Sequence, residues 1–400
     1  MALSAPPASA DTGCPAASSG YGGGSGTSGD PYQISAPGDL QRLRDTSADY
    51  ARYFLFTQDI NMGGCVWSAP ISDGSTTFTG RLDGDGHVIN GLSVNVANPS
   101  LSFVGLVGYL GANGEIRDLG FTGNVSLTDQ GSGSSAYVGG LVGFTFAPTT
   151  ITGSFATGDV SANKTSSGSS VNVWAGGLIG LSQSTVSNSY STGNVSVSAT
   201  STAGSGSDVA ITAGGAVGGI GVGPMTNVYA TGTVSSTGTA DTVSRRMGGF
   251  TGTREVSSNL TSLFWNTSSS GLSSATGFGS STGMNGATTS LMQTASTFTN
   301  AGWSLTPGFD ATSTWGLCSA ASDGLPYLTA FYASSPCIQA SDTSQIPPSW
   351  LQATGRINGQ ESCEIGWNPS WAQWMNGGTG GFVCNREVYW DVHASNWSVR

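Results

Sequence analysis

One short phrase returns along this chain with its residues in register. It reads Gly139-Gly140-Leu141-Val142-Gly143, then Gly176-Gly177-Leu178-Ile179-Gly180, Gly214-Gly215-Ala216-Val217-Gly218 and Gly248-Gly249-Phe250-Thr251-Gly252. An earlier copy, Gly105-Leu106-Val107-Gly108, lacks the first glycine of the pair. A second phrase alternates with the first: Phe121-Thr122-Gly123-Asn124-Val125, Phe155-Ala156-Thr157-Gly158-Asp159-Val160, Tyr190-Ser191-Thr192-Gly193-Asn194-Val195 and Tyr229-Ala230-Thr231-Gly232-Thr233-Val234. An apolar residue (Ile116, Ile151, Val186, Met225) stands at the same distance before each threonine. Spacings of roughly 34 to 38 residues fall in the window of stacked repeat architectures.

Each unit holds two or three short runs rich in Val, Ile, Tyr, Phe and Thr, broken by Gly, Asn and Ser, which read as strands between turns. One unit cannot bury its own apolar face, whereas stacked units place like residues over like. Two ladders follow: an aliphatic one through Leu141, Leu178 and Ala216, and an aromatic one through Phe155, Tyr190, Tyr229 and Phe264. The paired glycines suit a tight corner, where a side chain would clash or φ must be positive. The expected fold is all-β: a single-stranded parallel β-helix, with right-handed winding as the expectation.

Only 9% of the residues are charged, the net charge is −11, and Lys164 is the one lysine. An acidic chain without a basic cluster is a poor nucleic-acid binder, and no apolar run is long enough to span a bilayer. The 37% hydrophobic content and strong periodicity argue against disorder. All six cysteines lie outside the repeats and none forms a Cys-x-x-Cys pair, so zinc is a poor fit and disulfides in an oxidising compartment are the natural reading. Proximity suggests Cys14–Cys65, Cys318–Cys337 and Cys363–Cys384, although sequence alone leaves every other pairing open. Ala8-Ser9-Ala10 resembles the end of a signal peptide, which points to a secreted protein.

In chain order, residues 1–30 read as a flexible leader and 31–100 as an N-terminal cap with the first coils. In the cap, Asp39 to Arg44 is expected as a short helix capped by the preceding turn, a lid over the first coil. Residues 101–270 hold the repeats, 271–340 close the solenoid, 341–348 form a linker, and 349–400 make a Trp-rich C-terminal domain. A solenoid needs such caps because open terminal strands invite stacking between molecules.

Gly29-Asp30-Pro31-Tyr32-Gln33-Ile34, Asp59-Ile60-Asn61-Met62, Phe78-Thr79-Gly80-Arg81-Leu82-Asp83-Gly84-Asp85-Gly86-His87 and the Gly-Leu-Val-Gly repeats together resemble GLUG-motif proteins. Phe264-Trp265-Asn266, Gly302-Trp303, Trp315 and Leu325-Pro326-Tyr327-Leu328 resemble the segment that closes such arrays. That family occurs in bacterial surface adhesins of filamentous-haemagglutinin type and beside IgA-cleaving peptidases. The resemblance implies a secreted or surface β-helical module and no catalytic residues.

Three Ser/Thr/Gly-rich stretches, Ser161–Ser170, Val197–Asp208 and Ser235–Thr242, differ between units and read as loops, where binding surfaces vary. In the C-terminal segment Trp367, Trp371, Trp374, Tyr389 and Trp390 could stack on sugar rings, but a domain of about fifty residues also needs its tryptophans as core. Asp83 and Asp85 are weak calcium candidates whose glycine-rich turn has a structural explanation. Glu115 and Asp118 are the nearest carboxylate pair, but acids do not recur at one repeat position as a catalytic groove would want. Gly279-Ser280-Ser281-Thr282-Gly283 matches a nucleophile elbow on paper and lacks its strand–helix context. Thr122, Thr157, Thr192 and Thr231 form one column, whereas ice or a crystalline polysaccharide would call for two or more.

No cofactor, metal or catalytic group is expected. The chain reads as a bacterial secreted or cell-surface adhesin for a glycan or host or neighbour-cell ligand. The alternatives are a polysaccharide lyase or hydrolase on a β-helix, and a self-associating stalk.

Overall fold

The computed structural model describes residues 10–97, 103–131, 133, 135–255 and 259–337, with the backbone of strands Val388–Asp391 and Asn396–Val399. Each coil of the body turns through four strands. In the first repeat these are Glu115–Phe121, Val125–Asp129, Ser135–Gly139 and Val142–Thr145. In the next coil the first face is split into Thr150–Thr152 and Phe155–Ala156, followed by Val160–Ser166, Ser170–Gly176 and Ile179–Ser182. Like strands pair in parallel and in register, for example Val160↔Val125 and Val160↔Val195 on the second face. The body is therefore a single-stranded parallel β-solenoid, as the repeats imply. Parallel pairing begins earlier, from Tyr32–Ile34 to Tyr53–Phe56, then from Tyr53–Phe56 and Ile60–Trp67 onto Arg81–Ala97. Arg81–Ala97 is one long strand that bends across the first and second faces, and the pairing runs on through Thr276–Phe278 and Met284–Ala287.

Both expected ladders are present. Leu141 and Leu178 are fully buried, and the aliphatic column extends to Leu106 at one end and Phe250 at the other. Phe155, Tyr190 and Tyr229 stack with centroids 4.9 Å apart at each step. At the matching place in the preceding coil stands Gly120, where a Cβ would lie 2.4 Å from the Phe155 ring.

The glycine pairs answer to close approach rather than to φ. None of Gly139, Gly176 or Gly214 has positive φ, but a Cβ on Gly176 would sit 2.1 Å from the Ile179 carbonyl oxygen and 2.6 Å from the Gly218 nitrogen. Positive φ belongs to another column, Asp118, Gly153, Asn188, Asn227 and Ser262, with φ between 47° and 58°. Asp, Asn and Gly are the residues that tolerate this left-handed region best.

Two expectations need correction. The stretches Ser161–Ser170, Val197–Asp208 and Ser235–Thr242 begin as strand, in Val160–Ser166, Val195–Ser201 and Val234–Thr239, and turn only after it. Their small polar residues alternate with inward Val, Ala and Ser, so a period of two was hidden under low-complexity composition. The leader is not flexible from residue 10 onward: Thr12 bridges Val66, Ser18 donates to the Gly38 carbonyl, and Tyr21 stacks on Tyr32 at 4.4 Å. The Tyr21 hydroxyl also donates to Asp49 at 2.8 Å. The linker at 341–348 lies outside the described residues, as does most of 349–400, whose two described strands pair antiparallel.

The cap is built on the helix Pro37–Asp45, which buries Leu40 and Leu43. Its entry is held by Asp39, which accepts the Ser35 N–H and hydroxyl, each at 3.0 Å. Cys14–Cys65 ties the leader to this cap. A second unit, Gln293–Asn300 with residues from Ser304 onward, carries a three-stranded sheet (Leu305–Pro307, Trp315–Leu317, Tyr327–Leu328) and the bridge Cys318–Cys337. Both disulfides are those suggested by proximity.

Gly176→Ala is expected to lower stability by about 2 kcal/mol in denaturant unfolding, while Gly29→Ala, with nothing within 4 Å of its Cβ, stays unchanged. A second expectation concerns Asp11. Burial alone would raise its pKa, but Arg44 and the Ser68 N–H and hydroxyl outweigh burial and hold it at about 2. Its contribution is present above the usual aspartate range and is lost as pH falls towards 2. Asp11→Asn should therefore lower the thermal midpoint at pH 7 and make no difference near pH 2.

Candidate functional site

Of the residues singled out for sugar stacking, Trp367, Trp371 and Trp374 lie outside the described residues, as does the Cys363–Cys384 pair. Tyr389 and Trp390 fall in a strand known by its backbone alone. Asp83, a weak metal candidate, is committed to arginine. It is buried and occupied by the Arg117 guanidinium, with Arg81 3.8 Å away. Its other oxygen accepts the Asp85 N–H at 3.3 Å, closing the glycine-rich turn. Among the described residues, no group of three or more His, Cys, Asp or Glu could hold a metal ion. Ser280 lies in an exposed turn and bonds Thr282 at 2.9 Å, with no helix following it as a nucleophile elbow requires.

Glu115 and Asp118 do come near a charged group. Arg81 reaches Glu115 at 4.0 Å, and Arg117 ties the same strand to Asp83 in the preceding coil. Asp118 sits at the left-handed corner beside them. Its pKa is raised, first by burial and then by the negative charge of Asp83, with Arg117 opposing. His87 Nδ1 meets Asp59 at 3.2 Å in the same part of the first coils. The Arg117–Asp83 and Arg81–Glu115 pairs tie adjacent coils together.

The column Thr122, Thr157, Thr192, Thr231 marks the corner between first and second faces, where each N–H donates to a carbonyl of the preceding coil. Beside it runs a second ladder, built by the residue that follows the glycine of each Thr-Gly phrase. Asn124 Oδ1 accepts the Asp159 N–H at 2.9 Å, Asp159 Oδ1 accepts the Asn194 N–H at 2.8 Å, and Asn194 Oδ1 accepts the Thr233 N–H and hydroxyl. The second face then turns short polar residues outward in register: Ser126, Ser161, Ser196 and Ser235 in one column, and Thr128, Asn163, Ser198 and Thr237 in the next. This surface carries hydroxyls and amides with hardly any charge.

The third and fourth faces hold a feature that alternation alone did not reveal. Tyr137 lies between the buried Ala136 and Val138, so its ring points away from the core. It stacks on Phe103 at 5.2 Å and on Trp174 at 4.8 Å, with interplanar angles of 15° and 10°. Tyr109 and Phe144 pair with each other on the fourth face. Rings from the two faces meet outside the core, Tyr137 with Phe144 at 5.4 Å and Phe103 with Tyr109 at 5.2 Å. Outward side chains on adjoining faces can touch only if the corner between them folds inward. The Gly-Gly phrase makes that re-entrant corner, since its glycines let the two strands close together. Trp174 reaches over Gly219 of the following coil, where a Cβ would lie 3.1 Å from the indole. All five rings are half-buried. Stacking uses up ring faces, so the ladder presents ring edges to solvent, together with the Tyr109 and Tyr137 hydroxyls, whose pKa values burial raises.

Comparison with known proteins finds the GLUG motif at residues 134–161, a stretch that holds one of these aromatic strands and its glycine corner. A "Putative Gly-rich membrane protein" of Evansella cellulosilytica is 33% identical over 30% of this chain and 14% of its own length. "Halomucin" of Haloquadratum walsbyi is 38% identical over 26% of this chain and 1% of its own length. The chain thus spans a small part of the curated relatives it matches. A crystal structure of a "putative immunoglobulin A1 protease" from Bacteroides ovatus aligns over 78% of this chain and 95% of its own, with TM-score 0.43 and 17% identity. No described helix is long and apolar enough to cross a membrane.

Because the folded Asp118 holds its proton above the usual aspartate range, its charge opposes folding once that proton is lost. Asparagine fills the same column at 188 and 227. Asp118→Asn should raise the unfolding midpoint at pH 7, with the gain vanishing below the ordinary aspartate range.

Proposed function

We propose that this GLUG-motif solenoid is a secreted or cell-surface binding module that holds a glycan or another surface ligand without converting it. The observation that carries this reading is the re-entrant aromatic corner. Phe103, Tyr109, Tyr137, Phe144 and Trp174 lie outside the core, so packing of the solenoid does not require them. Partly exposed aromatics beside tyrosine hydroxyls are what a sugar surface needs: apolar C–H patches pack on ring edges while hydroxyls exchange hydrogen bonds. The uncharged hydroxyl face next to it extends a surface suited to a neutral polymer.

The relative named as a membrane protein supports a setting at the cell envelope. Against a lyase or hydrolase stands the ionic patch, where Asp83 is committed to Arg117 and so is poorly placed as a free base. The stacking interest therefore moves from the C-terminal tryptophans to Trp174 and its neighbours.

A glycan array probed with the full chain, with Trp174→Ala and with a truncation ending at Asp342 tests this. The expected result is retention by the truncation and at least a tenfold loss with Trp174→Ala, with circular dichroism showing the variant folded. Undiminished binding by Trp174→Ala would overturn the assignment, and loss on truncation would return recognition to the Trp-rich segment.

A further inference from the structure

The single lysine of the chain lies inside the solenoid. Lys164 is 0% exposed on the strand Val160–Ser166, among the inward positions Val160, Ala162 and Ser166. Its register partner in the preceding coil is Asp129, and in the following coil Ala199. Lys164 Nζ stands 2.6 Å from Asp129 Oδ2, and Asp129 is itself 2% exposed. The other carboxylate oxygen, Oδ1, accepts the Gly131 N–H at 2.7 Å.

An ammonium brings three donors, and among the described residues Lys164 has this one partner. A buried ion pair repays its desolvation only when its remaining donors are also satisfied. Two donors here are not, so the separated charges are a poor resting state for this site. Condensation would remove both charges and leave one amide N–H and one C=O.

We propose that Lys164 and Asp129 join in an intramolecular amide bond that links adjacent coils. With the shared proton on the carboxyl oxygen, the neutral amine attacks Cγ of Asp129. The Gly131 N–H stabilises the charge that develops on Oδ1. A C–N bond forms and one C–O bond breaks. The departing oxygen leaves as water with the carboxyl proton and one amine proton, so the step needs no oxidant, reductant or co-reactant. Both cysteine bridges among the described residues lie outside the repeats; this bond would supply a covalent tie within them.

The test is the intact mass of the full chain with its disulfides reduced. The expected mass is about 18 Da, one water, below that of the reduced sequence. Tandem spectra should contain a branched peptide joining the segments around residues 129 and 164, and trypsin should fail to cut after Lys164. Lys164→Arg should return the mass to its sequence value. An intact mass equal to that of the sequence would overturn the proposal, as would a deficit that persists in Lys164→Arg. The wild-type measurement stands even if the variant fails to fold.

Discussion

Everything in the body of this protein depends on how closely one coil approaches the next. Parallel strands held by backbone hydrogen bonds lie ~4.8 Å apart, and every position has a neighbour one coil away directly above and below. A side chain is therefore chosen less by its sequence neighbours than by the same position in adjacent coils. Gly176 faces the Gly218 nitrogen, Asn124 caps the Asp159 amide, and Tyr190 lies between Phe155 and Tyr229. The glycine corners are the strictest case, because there the backbone itself fills the space that a Cβ would need.

The same constraint explains what could be read from the chain. Leu141, Leu178 and Ala216 announce their column because an inward ladder tolerates only apolar residues, and the repeat aligns them. The second-face strands stayed hidden because Ser, Thr and Ala serve equally well in a strand and in a loop when one side faces water. Ser161, Asn163 and Thr165 look like a linker until Val160, Ala162 and their partners in the neighbouring coils are seen to point inward. The aromatic corner was illegible for another reason. Alternation shows that Tyr137 and Trp174 point outward, but not which way the chain bends at Gly139-Gly140. Only that bend brings Phe144 against Tyr137. Lys164 carried no signal at all, since a lone lysine between asparagine and threonine is ordinarily solvated.

Polar chemistry is unevenly shared along the solenoid. Salt bridges gather in the cap and first coils, at Arg44–Asp11, Arg81–Asp83 and Arg117–Asp83. Further on, apart from the buried Lys164–Asp129 contact, ladders of Asn, Ser and Thr, with Asp159 among them, bond coil to coil. Such bonds respond weakly to ionic strength, whereas exposed ion pairs are screened within about 10 Å at 0.1 M salt. The aromatic corner and hydroxyl face thus rest on a scaffold whose cohesion is largely insensitive to salt.

The Cys14–Cys65 bridge also decides how the molecule bears tension. A repeat stack whose units touch only their neighbours yields from its ends. A pull applied upstream of Cys14 would cross to Cys65 through the sulfur atoms, leaving Pro15 to Gly64 outside the load path. The helix Pro37–Asp45 and the strand Tyr53–Phe56 could then stay folded over the first coil while force enters the stack behind them. Under tension, that end of the stack is fastened where peeling would otherwise begin.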